Sequence, residues 1–277
     1  KMNQLALKEQ SDTSYWYALS MRYQGNPYYS MKKVDTALYY WKNSIELFEK
    51  YHFNHDDHRS GVNNLGKVYY HLKMKDSAFV YWDGYARLCE NVDSLSIESY
   101  EINYTLGKKY FQYKDYQNSL LRYKKSLHIK ERQTPLIEKD IADIFGKIGT
   151  VYLYQRKYDS SLINYQKSYE LRKIHKYKNK REYLSSINSL GCVYTYLKNY
   201  DLSEKLLKKA LRKRKHFLGD NHLDYATSCN NLAFLYFTLE KYNKADQLYK
   251  IALSVKKDTL SITSKSYIRT LNNLIKQ

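Results

Sequence analysis

The chain has 277 residues, 47 Lys+Arg against 28 Asp+Glu, and a formal net charge of +19. Only 2 Pro argue against a turn-rich β-sandwich or barrel, and 3 scattered Cys argue against a disulfide framework and for a reducing, cytoplasmic setting. No apolar run reaches the roughly 18 residues of a membrane span, and an apolar fraction of 43% suffices for a core, which excludes wholesale disorder.

The glycines expose the organisation. Gly25, Gly66, Gly107, Gly149 and Gly191 follow one another at spacings of 41, 41, 42 and 42, and Ala233 continues the row. Three residues after each comes a tyrosine: Tyr28, Tyr69, Tyr110, Tyr152, Tyr194 and Tyr236. An aliphatic residue precedes most of them, as at Leu65, Leu106, Ile148, Leu190 and Leu232. Self-similarity at this period is the mark of a stacked repeat array.

Each unit carries two helical patterns joined by a short polar break. In the fifth unit the first helix runs through Asn188–Leu197, the break is Lys198–Asp201, and the second helix covers Leu202–Leu211. In the sixth, Tyr242, Ala245, Tyr249 and Ala252 recur at spacings that share one helix face. The small residue lets a second backbone approach, and large side chains fill the groove around it. Trp41 and Trp82, 41 residues apart, take the large position of the second helix. Trp16 is also expected in the core.

The pattern small-x-x-Tyr, then Tyr-x-x-Ala/Ser-x-x-x-Tyr/Trp/Leu-x-x-Ala/Ser, resembles the tetratricopeptide repeat family. Six in-register units cover nearly the whole chain, near 18–58, 59–99, 100–141, 142–183, 184–225 and 226–267. Residues 268–277 read as a capping or truncated helix. The family's usual unit is shorter and commonly ends near a proline. The 41–42 residue units, and Leu218-Gly219-Asp220-Asn221-His222 with its sequel Tyr225–Ala233, are similar to the kinesin-light-chain-like subclass. The resemblance implies an all-α, right-handed superhelical solenoid forming one array over residues 1–277.

It also implies a concave groove lined by the first helix of each pair, at the positions three before and one after the small residue. Those are Arg22 and Asn26, Asn63 and Lys67, Tyr104 and Lys108, Gly146 and Thr150, Asn188 and Cys192, Asn230 and Phe234, with Asn272 continuing the row. An asparagine amide pairs with a peptide backbone, and a lysine or arginine meets a carboxylate. The partner expected from this row is a protein or peptide segment of acidic character.

The charge is uneven: residues 1–90 carry +2 and residues 91–277 carry +17. Clusters recur at the ends of second helices, including Lys173, Lys176, Lys178, Lys180 and Arg181, then Arg212, Lys213, Arg214 and Lys215. Such an edge suits an acidic protein segment, a nucleic acid backbone or an anionic membrane surface. Cations at helix C-termini also complement the helix dipole without any partner. The aromatics do not favour nucleic acid, because most recur at packing positions rather than between the basic residues.

No chemistry of an enzyme is legible. Phosphate-cradling glycine loops and a nucleophile elbow are absent from the sequence. His52, His55, Asp56, Asp57 and His58 read as a polar inter-repeat loop rather than a metal site. Cys89, Cys192 and Cys229 have no ligand spacing and read as small packing residues. No cofactor is expected. The resulting reading is a non-enzymatic scaffold that holds an acidic segment. The alternatives are the sensory region of a larger signalling or protease protein, in which such arrays precede caspase-like or signalling domains, and nucleic-acid binding along the basic edge. The start at Lys1 leaves room for a longer parent chain.

Overall fold

The computed structural model describes residues 2–52, 56–133, 138–174, 180–260 and 262–275, with side chains from Ser14 onward. Among the described residues thirteen α-helices follow one another and no strand forms. They are α1 (Met2–Ser30), α2 (Val34–Lys50), α3 (Asp56–His71), α4 (Lys75–Val92), α5 (Ile97–Gln112), α6 (Tyr116–Arg132), α7 (Glu138–Tyr154), α8 (Tyr158–Ile174), α9 (Lys180–Tyr196), α10 (Tyr200–Leu218), α11 (Leu223–Thr238), α12 (Tyr242–Thr259) and α13 (Lys265–Ile275). Consecutive helices pair, giving an all-α repeat solenoid. The first helices begin three or four residues before the expected unit boundaries, and α1 starts well before residue 18. The chain divides into two compact units, residues 1–106 and 107–277.

The small-residue row marks the helix crossings. A Cβ on Gly66 would lie 2.4 Å from Trp82 Cδ1, and one on Gly149 would lie 2.9 Å from Tyr165 Cδ1. Two helices therefore touch backbone to side chain at this level, and each large residue caps the glycine of its own pair. Small residues of the second helix add a polar contact. Ser119, Ser161 and Ser203 donate at 2.8 Å to the carbonyls of Gly107, Gly149 and Gly191. These bonds satisfy buried hydroxyls while letting the backbones stay close. The core between them is apolar, with Ile144, Val151, Ile187, Val193, Leu207 and Leu235 fully buried.

The break inside each pair is a tight turn at a fixed place. Lys32, Lys73, Lys114, Arg156, Lys198 and Glu240 all have φ between 58° and 63°. At each, paired backbone bonds close the helix end, as where Asp115 N–H meets Tyr110 O at 3.0 Å and Lys114 N–H meets Phe111 O at 3.0 Å. This is a helix-terminating motif built on a left-handed residue. Here that residue is a long charged side chain rather than glycine, at a conformational cost of about 1–2 kcal/mol.

Trp16 departs from the expected core position. It is 64% exposed, on a stretch of α1 that also exposes Tyr17 and Tyr23. Helical spacing alone did not separate the inner from the outer face there. Part of the His/Asp cluster is helix rather than loop: Asp56, Asp57 and His58 open α3, whereas His52 lies in the turn after α2. Asp56 pairs with Arg59, and Asp57 pairs with Arg22. His58 is buried with its ring stacked on Phe48 at 5.5 Å. His55 lies outside the described residues.

Candidate functional site

In the second unit the first helices α7, α9 and α11, together with α13, surround a cavity of about 600 Å³. Its lining includes Thr150, Asn188, Cys192, Asn230 and Phe234, all of them positions expected in the groove. A neighbouring hollow of about 300 Å³ contains Gly146 and shares Thr150, Tyr165 and Ser189 with the first. The expected row therefore converges in this unit at the places carried by the fourth, fifth and sixth repeats.

Aromatic rings build one wall. Tyr158 stacks on Tyr196 at 5.1 Å, and Tyr196 packs against Phe234 at 5.4 Å. Tyr154 and Tyr165 complete the lining. Of these rings only Phe234 was assigned to the groove from the sequence; Tyr154 and Tyr196, 42 residues apart, are the recurrence that marks two of the others. Burial pushes the Tyr196 phenol up to about 12 and the Cys192 thiol up to about 11. Both stay neutral at physiological pH, so the charge of the cavity comes from Arg156 and Arg269. No carboxylate belongs to its lining. Arg269 of α13 donates to the Tyr154 hydroxyl of α7 at 3.1 Å, a contact between residues 115 apart in sequence. The smaller hollow is charge-balanced: Arg172, Arg181 and Lys147 face Asp143, Glu182 and Asp224.

The amides of the row are largely internal. Asn188 and Asn230 are 6% and 5% exposed. Ser228 donates to Asn188 Oδ1 and Thr270 donates to Asn230 Oδ1, each at 3.1 Å. Asn272 is exposed on α13, and Lys108 is exposed on α5. In the first unit the predicted residues are partly committed to the fold. Arg22 forms a 2.5 Å ion pair with Asp57 and also reaches Ser60, which joins α1 to α3. The Asn26 side-chain carbonyl accepts from Trp41 Nε1 at 3.3 Å. Lys67 is exposed beside Asn64, Asn63 is half-buried, and the ring of Tyr104 lies 5.9 Å from that of Tyr100.

The basic edge needs one correction. Arg214 is 3% exposed and lies inside, not at the surface. It donates to Asp224 O at 2.9 Å, Ser228 Oγ at 2.8 Å and Ser185 Oγ at 2.9 Å. A helix turns roughly one residue in four toward a given neighbour, and in the run Arg212–Lys215 that residue is Arg214. The others are exposed. Lys173 faces Glu170, Arg181 faces Asp224 and Lys215 faces Asp220. Lys180 and Lys213 both lie over the exposed ring of Phe217, at 4.5 and 5.9 Å. Arg212 has no ion-pair partner among the described residues, whereas Lys176 and Lys178 fall outside them.

Cations recur at one position of this unit, buried at Lys130, Arg214 and Lys256 and half-buried at Arg172. Lys130, Arg172, Arg214 and Lys256 are spaced by 42, and each meets a group ten residues onward. Lys130 pairs with Asp140 at 3.0 Å. Arg172 donates to Glu182 O at 3.3 Å and Lys256 to Ser266 O at 3.4 Å. Each bond ties the second helix of one repeat to the first helix of the next. Burial lowers the Lys256 pKa to about 8.

The three free cysteines are Cys89 and Cys229, both buried, and Cys192 at the cavity. No group of three or more His, Cys, Asp or Glu among the described residues is arranged to hold a metal. Nor is any helix there long and apolar enough to cross a membrane.

A tetratricopeptide repeat family profile matches residues 140–215 and 182–258. No curated protein sequence matches the chain significantly. Among solved structures, the chain is similar to BtubC (BKLC) from P. vanneervenii, at 14% identity and a TM-score of 0.52, covering 78% of this chain and 80% of that one. A Podospora anserina putative kinesin light chain with nearly identical TPR-like repeats matches at 12% identity and a TM-score of 0.56. It covers 73% of this chain and 96% of that one. A STAND signal transduction ATPase with a tetratricopeptide repeat sensor, from Pyrococcus horikoshii, matches at 15% identity and a TM-score of 0.60 over 88% of this chain but 37% of that one. At such identities the likeness is one of fold, and it extends the repeat architecture beyond the residues that the profile matches. The profile match marks residues 140–258 as tetratricopeptide repeats, and the in-register crossings and helix pairs described above carry the same repeat fold through the rest of the described residues.

Proposed function

We propose that the chain is a non-enzymatic scaffold that holds an extended, acidic protein segment in the groove of its second unit. The observation that carries this reading is the cavity lining: five aromatic rings, three asparagines and two arginines, with no carboxylate. Rings bury apolar side chains, amides serve a peptide backbone, and an arginine offers a planar pair of donors to a carboxylate. The helices already hold these groups in place, so little ordering cost falls on the protein. Panning a random peptide library against the full chain tests the proposal. Segments enriched in Asp and Glu, with capture that weakens as salt rises, are the expected result. Enrichment without acidic bias, or no capture at all, contradicts it.

The similarity to the repeat sensor of a STAND ATPase favours a second reading, in which the array is the sensing region of a larger signalling protein. The two readings are compatible, because a sensor also needs a groove. Isolating the complete gene product and finding an effector domain attached to the array would establish it. A product consisting of the array alone would remove it.

A further inference from the structure

The groove wall has a fixed hydrogen-bonding polarity, and the buried cations set it. Arg214 donates to the Ser228 hydroxyl at 2.8 Å. A guanidinium has no acceptor, so Ser228 receives there and sends its own proton onward. That proton goes to Asn188 Oδ1 at 3.1 Å. The carbonyl end of the amide is thereby occupied from inside. The other end, Nδ2, has no protein partner among the described residues, and Asn188 lines the cavity. We infer that Ser228 is a positioning residue for the groove: it holds the Asn188 amide with its N–H pair toward the cavity, so that this wall receives carbonyl or carboxylate oxygens and not donors.

One repeat further on, the same relay is built from different residues. The Lys256 ammonium donates to Thr270 Oγ1 at 2.6 Å, and Thr270 donates to Asn230 Oδ1 at 3.1 Å. Thr270 shares its proton with Ser266 O at 3.2 Å, so this second relay is the looser of the two. A donor-only cation, a hydroxyl and an amide carbonyl thus recur in the same order at a spacing of 42. One repeat earlier the hydroxyl position is Ser186, which donates to Tyr183 O at 2.7 Å, but the amide position is Gly146, and no relay forms. Asn188 consequently presents its amide donors in a cavity whose charged groups, Arg156 and Arg269, are also donors only, whereas Asn230 Nδ2 already donates to Asn231 Oδ1 at 3.3 Å.

This inference rests on the groove being the binding surface, but its test does not need the natural partner. The probe is N,N-dimethylacetamide, which offers a carbonyl oxygen and no N–H. The readout is the NMR signal of the Asn188 side-chain N–H pair in the full chain, assigned by its loss in Asn188→Asp. The probe should move this pair in the native chain and in Ser228→Thr. In Ser228→Ala the response should fall by at least half, while the backbone signals of the neighbouring helices stay in place. An unmoved Asn188 pair in the native chain overturns the inference by itself, whether or not signals of the aromatic wall respond. An undiminished response in Ser228→Ala overturns it as well. Failure of the peptide panning with a responsive Asn188 pair would discard the peptide reading and leave the relay standing.

Discussion

One position of the repeat is filled by opposite chemistries in the two units. In residues 1–106 it holds Phe48 and Cys89, each 1% exposed. In residues 107–277 it holds Lys130, Arg172, Arg214 and Lys256. The contact ten residues onward persists in both units: Phe48 stacks on His58, while Arg214 bonds the backbone carbonyl of Asp224. The backbone geometry therefore does not dictate an apolar seam. It dictates a contact, which an aromatic pair or a hydrogen-bonded cation can supply. Part of the +17 carried by residues 91–277 is accordingly structural, and an acidic partner is not needed to explain it.

Exchanging the two chemistries should produce the largest effect. Phe48→Lys removes a buried ring and brings a cation to a position with no acceptor built for it, a loss of about 3–5 kcal/mol. Arg214→Met should cost less, about 1–3 kcal/mol, because it strands the acceptors of Asp224 and Ser228 but also relieves a desolvated charge. Urea unfolding of the two variants compares them. Equal losses would mean that the seam is indifferent to what fills it.

The helix crossings provide a milder contrast. The first unit closes Gly66 with Trp82, and the second closes Gly149 with Tyr165, leaving 2.4 Å and 2.9 Å respectively for a Cβ. Ala233 opposite the fully buried Tyr249 shows that a tyrosine crossing accommodates one methyl group. Gly66→Ala should therefore lower the melting temperature more than Gly149→Ala, and Gly149→Leu should cost about 1–3 kcal/mol through overpacking. The reverse order of the two alanine variants would place the crossings elsewhere.

The smallest effect is one of pH. Lys256 titrates near 8 in the folded chain against 10.5 for a free lysine, because burial disfavours its charged form. Between these values the unfolded chain binds the proton more readily, so stability contributed by this group rises with pH across the window. Below pH 8 the penalty for the buried charge is present in full. Cys192 and Cys229, held up to about 11 from 9.0 by desolvation, act in the opposite sense above pH 9. The contribution is thus read as the difference between the native chain and Lys256→Met, and it should shrink as pH rises from 8 to 10. A constant difference would mean that Lys256 stays charged when folded.

The glycine and tyrosine rows were legible because a close helix crossing leaves few choices of residue, and those choices recur at the period of the fold. The buried cations were not, since Arg212-Lys213-Arg214-Lys215 reads as a uniform basic run. Only alignment with Lys130, Arg172 and Lys256 at intervals of 42 separates Arg214 from its neighbours. The turn positions were hidden for a related reason: lysine, arginine and glutamate stand where a left-handed conformation ordinarily announces itself with glycine. Asn188 and Asn230 were legible as groove positions, whereas the occupation of their carbonyls by Ser228 and Thr270 depends on helices about 40 residues away in sequence.

A calorimetric titration of a panned acidic segment separates the groove from the surface charge most directly. If the segment lies in the second unit's cavity, Arg269→Ala should weaken binding at least tenfold, about 1.4 kcal/mol. The exposed pair Arg212→Ala/Lys213→Ala should change it little. The opposite pattern, with Arg269→Ala neutral and the exposed pair decisive, would contradict the account and move the binding surface to the basic edge.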